Sequence, residues 1–473
     1  MQFVIPLTPT EEPLYKRLYL GLRGAILSGA FPADSRLPST RALAEQQGIS
    51  RTLVVLAYEQ LFVEGFVTGR AGSGTYVSRG LSRIHTSSKR AIPLRLARFG
   101  ALAAESGTRV AIRGQAGLPF DFAYGSELAT FPFALWNRTL LRCARRAPVS
   151  TLDYGVAGGI DALRTAISLH LRRSRAVDCE PERLIIVNGS QQALDLIARV
   201  LIERGDPVAI ENPAYQGTTE VLRAVGARLC PVSVDRHGLD PAGLPGTARA
   251  VFVTPSHQFP TGATLTLERR LALLDWARRR NAVVVEDDYD GEFRYEGQPL
   301  ESLQGLDQDS RVLYVGTFSR TVFSSLRIGY VVAPSSLIPA LTAAKWLCDR
   351  HTPSLEQQTL AEFIASGGYG RHLRRVRRRN AARRRVLLDA IGRHLGARVE
   401  VTGDAAGAHI VLWPRRELEE RTVVERARSL GVGIYGLSPY YIGRTERPGF
   451  MLGYSRLSEA QIEQGIRRLA TVL

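Results

Sequence analysis

Residues 35–66 read SRLPSTRALAEQQGISRTLVVLAYEQLFVEGF. Leu37-Pro38 brings the chain in extended, and Ser39-Thr40 supplies hydroxyls that can cap a short helix. That helix runs through Leu43 and Ala44 to Gly48, the residue type that accepts the left-handed backbone of a tight turn. Ser50 then caps a further helix, Arg51 to Glu64, with Leu53, Val54, Ala57, Tyr58 and Leu61 facing inward. Two helices joined by a short turn containing glycine make a helix-turn-helix. Upstream, residues 11–30 place Leu14, Leu18, Leu22, Ile26 and Leu27 near helical spacing, and Ser28-Gly29 ends that helix. Downstream, Phe66-Val67-Thr68 and Thr75-Tyr76-Val77 alternate like strands around a turn at Arg70–Gly74, a hairpin wing.

The residue types fit duplex DNA. The N-terminal end of a recognition helix points into the major groove, and here it carries Ser50, Arg51 and Thr52. Arginine reads guanine with two parallel hydrogen bonds, and hydroxyls reach phosphates or bases. Arg41 on the preceding helix, with Arg70 and the Gly72 backbone on the wing, can hold the phosphate backbone. The segments PLYKRLYLGLRGAILSGAF (13–31), residues 35–66 and GRAGSGTYVS (69–78) closely resemble the GntR family of bacterial regulators. That resemblance implies DNA contacts at Arg41, Ser50, Arg51, Thr52 and Gly72.

Charge is unevenly spread. The 473 residues carry a formal net charge of +17, yet residues 1–78 hold seven Lys/Arg against six Asp/Glu. Residues 79–118 lack sustained periodicity and are basic, and read as a linker whose arginines add phosphate contacts or solubility. The run from Arg371 to Arg385 holds nine arginines and no acid; it reads as a solvated helix face, with phosphate contact as the alternative. The four cysteines lack metal-ligand or redox-motif spacing, so no metal is expected and the thiols read as reduced. No stretch is long and apolar enough for a membrane span, and the N-terminus does not read as a secretory signal, so a cytoplasmic protein is expected.

From residue 119 short apolar runs alternate with amphipathic helices: Leu184–Val187, Val208–Ile210, Ala250–Val253, Ala282–Val285, Val312–Val315 and Ile328–Val332. This pattern predicts a mostly parallel α/β sheet, whose ligands sit beyond the strand C-termini. The residues just past these strands carry suggestive chemistry. Ser190-Gln191 opens a helix, whose free N–H groups suit a phosphate. Tyr215 places an aromatic at the rim. Asp287 and Tyr289 offer a carboxylate and a phenol for a protonated ring nitrogen and a ring hydroxyl. Thr317, Ser319, Arg320 and Arg327 again suit an anion.

In chain order, DYGVAGGIDALR, NGSQQALDL, ENPAYQG, TPSHQFPTG, EDDYDGEF, GTFSRTVFSSLRIGY, RHTPSLEQ and LGYSRLSE resemble a fold-type I aminotransferase. The whole chain resembles the MocR/GabR-type subfamily of GntR regulators. The resemblance implies a winged helix-turn-helix at 1–78, the linker at 79–118, a large aminotransferase-like domain at 119–345 and a small one at 346–473. It also implies a homodimer acting on a double-stranded DNA operator under a small-molecule effector. Pyridoxal phosphate would take Asp287 at its ring nitrogen, Tyr289 at its 3-hydroxyl and Tyr215 against its face. Ser190, Gln191, Thr317 and Arg327 would hold its phosphate, and Tyr154 would reach the partner subunit's pocket. Phe259 stands where many aminotransferases carry asparagine.

One position departs from that pattern. Where the family motif reads Ser-Lys, this chain reads Ser319-Arg320. Transamination needs a neutral amine as nucleophile and base, whereas a guanidinium stays protonated in proteins. The three lysines, Lys16, Lys89 and Lys345, are not convincing substitutes. The expectation is a non-enzymatic sensor that holds pyridoxal phosphate noncovalently, or another anionic ligand. Arg447 reads as a surface arginine, with a carboxylate anchor as the alternative. A working aminotransferase and a regulator with an empty vestigial pocket are the alternatives.

Overall fold

The structure, a computed structural model, describes residues 12–80, 94–109, 117–126, 130–295 and 300–473. The chain divides into two compact units, Met1–Arg95 and Leu96–Leu473. Among the described residues no helix is long and apolar enough to cross a membrane.

In the first unit, helices Leu14–Leu27, Thr40–Gln47 and Arg51–Val63 precede the hairpin Val67–Arg70/Gly74–Val77. Their core is Leu18, Leu22, Ile26, Leu37, Leu43, Val54, Ala57, Tyr58, Leu61, Val67 and Val77. Ser39 Oγ accepts from Ala42 N at 3.2 Å, which fixes the start of the second helix. Gly48 ends it in the left-handed region at φ +62°, where a Cβ would be strained. Leu53 is half-buried and the rest of the expected inward face is buried.

The second unit is built on an eight-stranded sheet. The strand order is Leu184–Val187, Gly329–Val332, Val312–Thr317, Val283–Asp288, Ala250–Val253, Pro207–Asn212, Arg228–Asp235 and the two-residue Gly238–Leu239. Gly329–Val332 runs antiparallel to both of its neighbours, and the strands from Val312–Thr317 to Arg228–Asp235 are mutually parallel. The central strands are wholly buried, as expected for a sheet covered on both faces. A second core lies around the antiparallel sheet Val399–Thr402, His409–Pro414, Phe450–Gly453 and Tyr435–Gly436, against helices Gly368–His394 and Glu459–Leu469.

The expected linker holds a helix, Arg98–Arg109. It packs on helix Gln216–Val225, with the Ser106 hydroxyl donating to Glu220. The linker residues Arg83, Lys89, Arg90 and Arg113 lie outside the described residues. Phe120 and Phe122, at the start of the expected large domain, are instead buried in the second core, where Phe120–Asp121 pairs with Val432–Gly433.

Candidate functional site

At the end of the sheet where the parallel strands finish, a cavity of about 210 Å³ is lined by Tyr124, Ser190, Gln191, Tyr215, Phe259, Asp287, Tyr289, Thr317, Ser319, Arg320, Ser324 and Arg327. Nine of the ten sequence-predicted pocket residues are therefore brought together. Tyr154 is not among them: it is 77% exposed, with Arg350 over its ring at 5.3 Å. Arg447 lies elsewhere, paired with Glu400 at 2.6 Å and stacked on Trp413. It is no anchor for a carboxylate in this cavity.

One wall is polar. Ser190 begins helix Ser190–Leu201 after Gly189, whose φ is +86°. A Cβ on Gly189 would stand 2.6 Å from the Arg327 guanidinium, so glycine lets that cation close on the helix start. Arg327 donates to Asn188 O at 2.9 Å. Ser319 N donates to Thr317 Oγ1 at 3.1 Å. Serine hydroxyls, helix-start N–H groups and a guanidinium form an anion cradle.

The opposite wall is aromatic. Phe259 meets Tyr124, Tyr215, Tyr289 and Tyr440 at ring-centroid distances of 5.7, 5.7, 5.6 and 5.3 Å. An adjoining cavity of about 220 Å³ shares Tyr124, Tyr215, Phe259 and Arg320, and adds Tyr435, Tyr440 and Met451. Arg320 thus stands at the junction of the two chambers. Sequence reasoning missed Tyr124 and Ser324. Tyr124 follows a two-residue strand that carries no periodic signal.

Three buried polar atoms on the first cavity's lining lack a hydrogen-bond partner: Asp287 Oδ1, Ser319 Oγ and Tyr124 Oη. Burial pushes the Asp287 carboxyl up to about 7, helped by the charges of Asp288, Asp290 and Glu211, while Arg320 opposes the rise. Orphaned buried polar groups are costly, which marks this carboxylate as one that expects a partner.

Behind Tyr289 lies a buried cluster. The Tyr289 hydroxyl donates to His257 O at 2.8 Å. His257 Nε2 and His409 Nε2 donate to Gly403 O and Pro260 O. His257 Nδ1 lies 3.1 Å from Asp290 Oδ2. Burial raises the Asp290 carboxyl, and His257 opposes that rise. Burial holds His409 well below the usual imidazole range. These three residues form a group among the described residues whose donor atoms could hold a cation, though His257 and Asp290 already satisfy each other. The buried Lys345 is paired with Asp349 and does not line the cavity.

In the first unit, Arg41, Ser50, Arg51 and Thr52 are all exposed at the helix-turn-helix. The Ser50 hydroxyl makes no cap bond, contrary to its expected capping role. It is therefore not engaged by its own helix. Gly72 sits at φ +71° in the exposed wing turn. Arg70 pairs with Asp34 and stacks on Tyr76 at 4.1 Å; Asp34 is also paired with Arg79 at 3.0 Å.

Residues 14–77 match the family described as "Bacterial regulatory proteins, gntR family", and residues 130–468 match "Aminotransferase class I and II". The chain is 38% identical over 468 residues to the "Probable rhizopine catabolism regulatory protein MocR" of Rhizobium meliloti, covering 97% of this chain and 93% of that one. This chain belongs to the MocR-type regulators of the gntR family. This MocR-type regulator is also 34% identical to the HTH-type transcriptional regulator TauR of Rhodobacter capsulatus, over 98% of this chain and 97% of that one. With the pyridoxine biosynthesis regulator PdxR of Corynebacterium glutamicum it shares 29% identity, over 96% and 94%. Its second unit is similar in fold to LysN, an alpha-aminoadipate aminotransferase from Thermus thermophilus. The TM-score is 0.71 and the identity 28%, over 78% of this chain and 96% of that one. The chain is thus a helix-turn-helix transcriptional regulator with an aminotransferase-like domain.

Proposed function

We propose that this MocR-type regulator binds an operator through Arg41, Ser50, Arg51, Thr52, Arg70 and Gly72, and that its cavity senses a small anionic ligand without covalent chemistry. The observation that carries the sensing reading is Asp287 Oδ1, buried and unpartnered in the same cavity as the Ser190, Thr317 and Arg327 cradle. A carboxylate facing one way and an anion cradle facing the other fit pyridoxal phosphate, the phosphopyridoxyl group that LysN is described as holding. Asp287 would hold the ring nitrogen, Tyr289 the ring hydroxyl and Tyr215 the ring face. Ser190, Gln191, Thr317, Ser319 and Arg327 would hold the phosphate.

When bound, pyridoxal phosphate supplies an aldehyde conjugated to an electron-withdrawing ring. Arg320 stands where the Schiff-base lysine is expected, and a protonated guanidinium neither attacks an aldehyde nor takes up a proton. Arg320 is instead suited to hold an anion between the two chambers. The regulator is read as non-enzymatic for that reason. A homodimer is supported by the exposed cluster of Tyr154, Arg350 and Trp346, beside Leu347, 78% exposed.

The test is an absorbance titration with pyridoxal phosphate, then borohydride reduction and intact mass, with Arg320→Lys in parallel. The parent is expected to gain thermal protection with no reducible adduct, and the lysine variant to gain both. A reducible adduct in the parent would overturn the reading. Absence of protection in the parent would leave this cavity without pyridoxal phosphate as its ligand.

A further inference from the structure

The nine arginines between Arg371 and Arg385 divide into two sets on helix Gly368–His394. Three are structural. Arg377 donates to Glu292 O, Arg383 to Ser455 O and Arg384 to Asp404 O. The other six, Arg371, Arg374, Arg375, Arg378, Arg379 and Arg385, are all exposed, though Arg371 also donates to Ser366 O at 3.3 Å. At 100° per residue they fall within one face of the helix. From first to last they span ~21 Å, about the axial run of six phosphates along one DNA strand.

No acid interrupts residues 363–388 of the sequence. Like charges at i, i+3 and i, i+4 oppose helix formation, and the exposed arginines between Arg371 and Arg379 accumulate five such pairs. An open groove beside the stripe is lined by Arg375, Arg378, Arg379 and Arg383 and by the start of helix Glu459–Leu469, where Glu459 is the single carboxylate. A face of this kind is at odds with simple solvation, for which mixed signs serve better.

We infer that this arginine stripe is a second DNA-contacting surface that binds the phosphate backbone of duplex DNA without reading sequence. The inference rests on the reading that the chain binds duplex DNA. It also answers a shortage in the helix-turn-helix unit, where residues 1–78 carry nearly equal numbers of basic and acidic groups. Sequence-independent affinity comes mainly from neutralised phosphates and released counterions. A near-neutral reading head supplies little of that. The stripe supplies it, and arginine's planar fork suits phosphate oxygens better than a point charge does.

The full-length protein would be titrated by fluorescence anisotropy against a random-sequence duplex between about 50 and 200 mM salt. The variant Arg374→Gln/Arg375→Gln/Arg378→Gln keeps helix-forming side chains and removes three charges. Its slope of log affinity against log salt is expected to fall by about 2–3, since each lost phosphate contact removes ~0.9. Arg51→Ala, in the reading head, is expected to take at most about one contact from that slope. An unchanged slope in the triple variant overturns the stripe while leaving the head's reading intact. The same holds if the triple variant loses affinity only for heparin or an acidic peptide, which would make the partner a different polyanion. Failure of the parent protein to bind any duplex overturns both readings.

Discussion

The Arg320 guanidinium lies 4.0 Å from the centroid of the Tyr124 ring. Such a contact is worth ~0.5–1 kcal/mol when exposed and ~2 when desolvated; the Tyr124 ring is half-buried and its hydroxyl is buried. The ring holds the cation at the junction of the two chambers, where a flexible arginine would otherwise sample many rotamers. Tyr124→Leu is therefore expected to weaken protection by pyridoxal phosphate about 2–30-fold, the conversion of that energy. Tyr124→Phe keeps the ring face and should retain most of it. Thermal-shift titrations compare the two; equal losses would assign the effect to the hydroxyl instead of the ring.

Asp287 gives the cavity a pH dependence near neutrality. Burial holds its carboxyl up to about 7, so it is largely neutral at pH 6 and largely ionised at pH 8. A ligand with a fixed ring cation needs the ionised form. Affinity for N-methylated pyridoxal phosphate is thus expected to rise, by up to about tenfold, between pH 6 and 8. The stability sign is opposite. A raised carboxyl binds more protons folded than unfolded, so its contribution falls as pH climbs from its unfolded value toward 7. Asp287→Asn should flatten both trends. Calorimetric titration at three pH values checks the first, and a pH series of melting curves checks the second.

Arg51 opens the third helix, exposed, with its Nε 3.4 Å from Thr40 Oγ1. A bidentate arginine–guanine pair discriminates by ~1–3 kcal/mol. Arg51→Ala should abolish the mobility shift of a specific operator at protein concentrations that saturate the parent. The second unit should keep its melting transition. Unchanged operator affinity would remove Arg51 from the reading set.

These expectations trace how much of the molecule its sequence discloses. Ser39, Gly48 and the apolar spacing of Leu43, Val54 and Leu61 are local signals, and the first unit follows them closely. The wholly apolar strands were equally legible, because burial on both faces leaves no polar alternation to misread. The strand Arg228–Asp235 was not foreseen. Half of its residues are exposed and one is buried, and Arg228, Cys230 and Pro231 dilute any strand pattern. The pocket residues after Val187, Val285 and Val315 were legible because a parallel sheet delivers its strand ends to one place. Tyr124 was not, because Phe120–Asp121 pairs with Val432–Gly433 more than 300 residues later. Long-range pairing of two-residue strands leaves no periodic trace. The arginine run was visible from the start. Which six of its nine members face outward needed the burial of the helix residue by residue.

The exposed apolar side chains around Tyr154 point to self-association. Leu347, Tyr154 and Val156 are 78%, 77% and 66% exposed, and Trp346 is half-exposed. The ring and cation contacts that join Tyr154, His351, Arg350 and Trp346 make one surface of the segments 153–156 and 346–351. Exposed apolar surface of this kind marks interaction sites, and burying one leucine side chain contributes ~1.5–3 kcal/mol. A C2 interface uses each patch twice, so a single substitution acts on both subunits. Leu347→Asp is expected to weaken dimerisation by at least about tenfold, measured by sedimentation velocity across a dilution series. The monomer so produced should keep its fold by circular dichroism. If the dimer constant is unmoved, this face is not the interface, and Tyr154 has no route to the partner subunit's cavity.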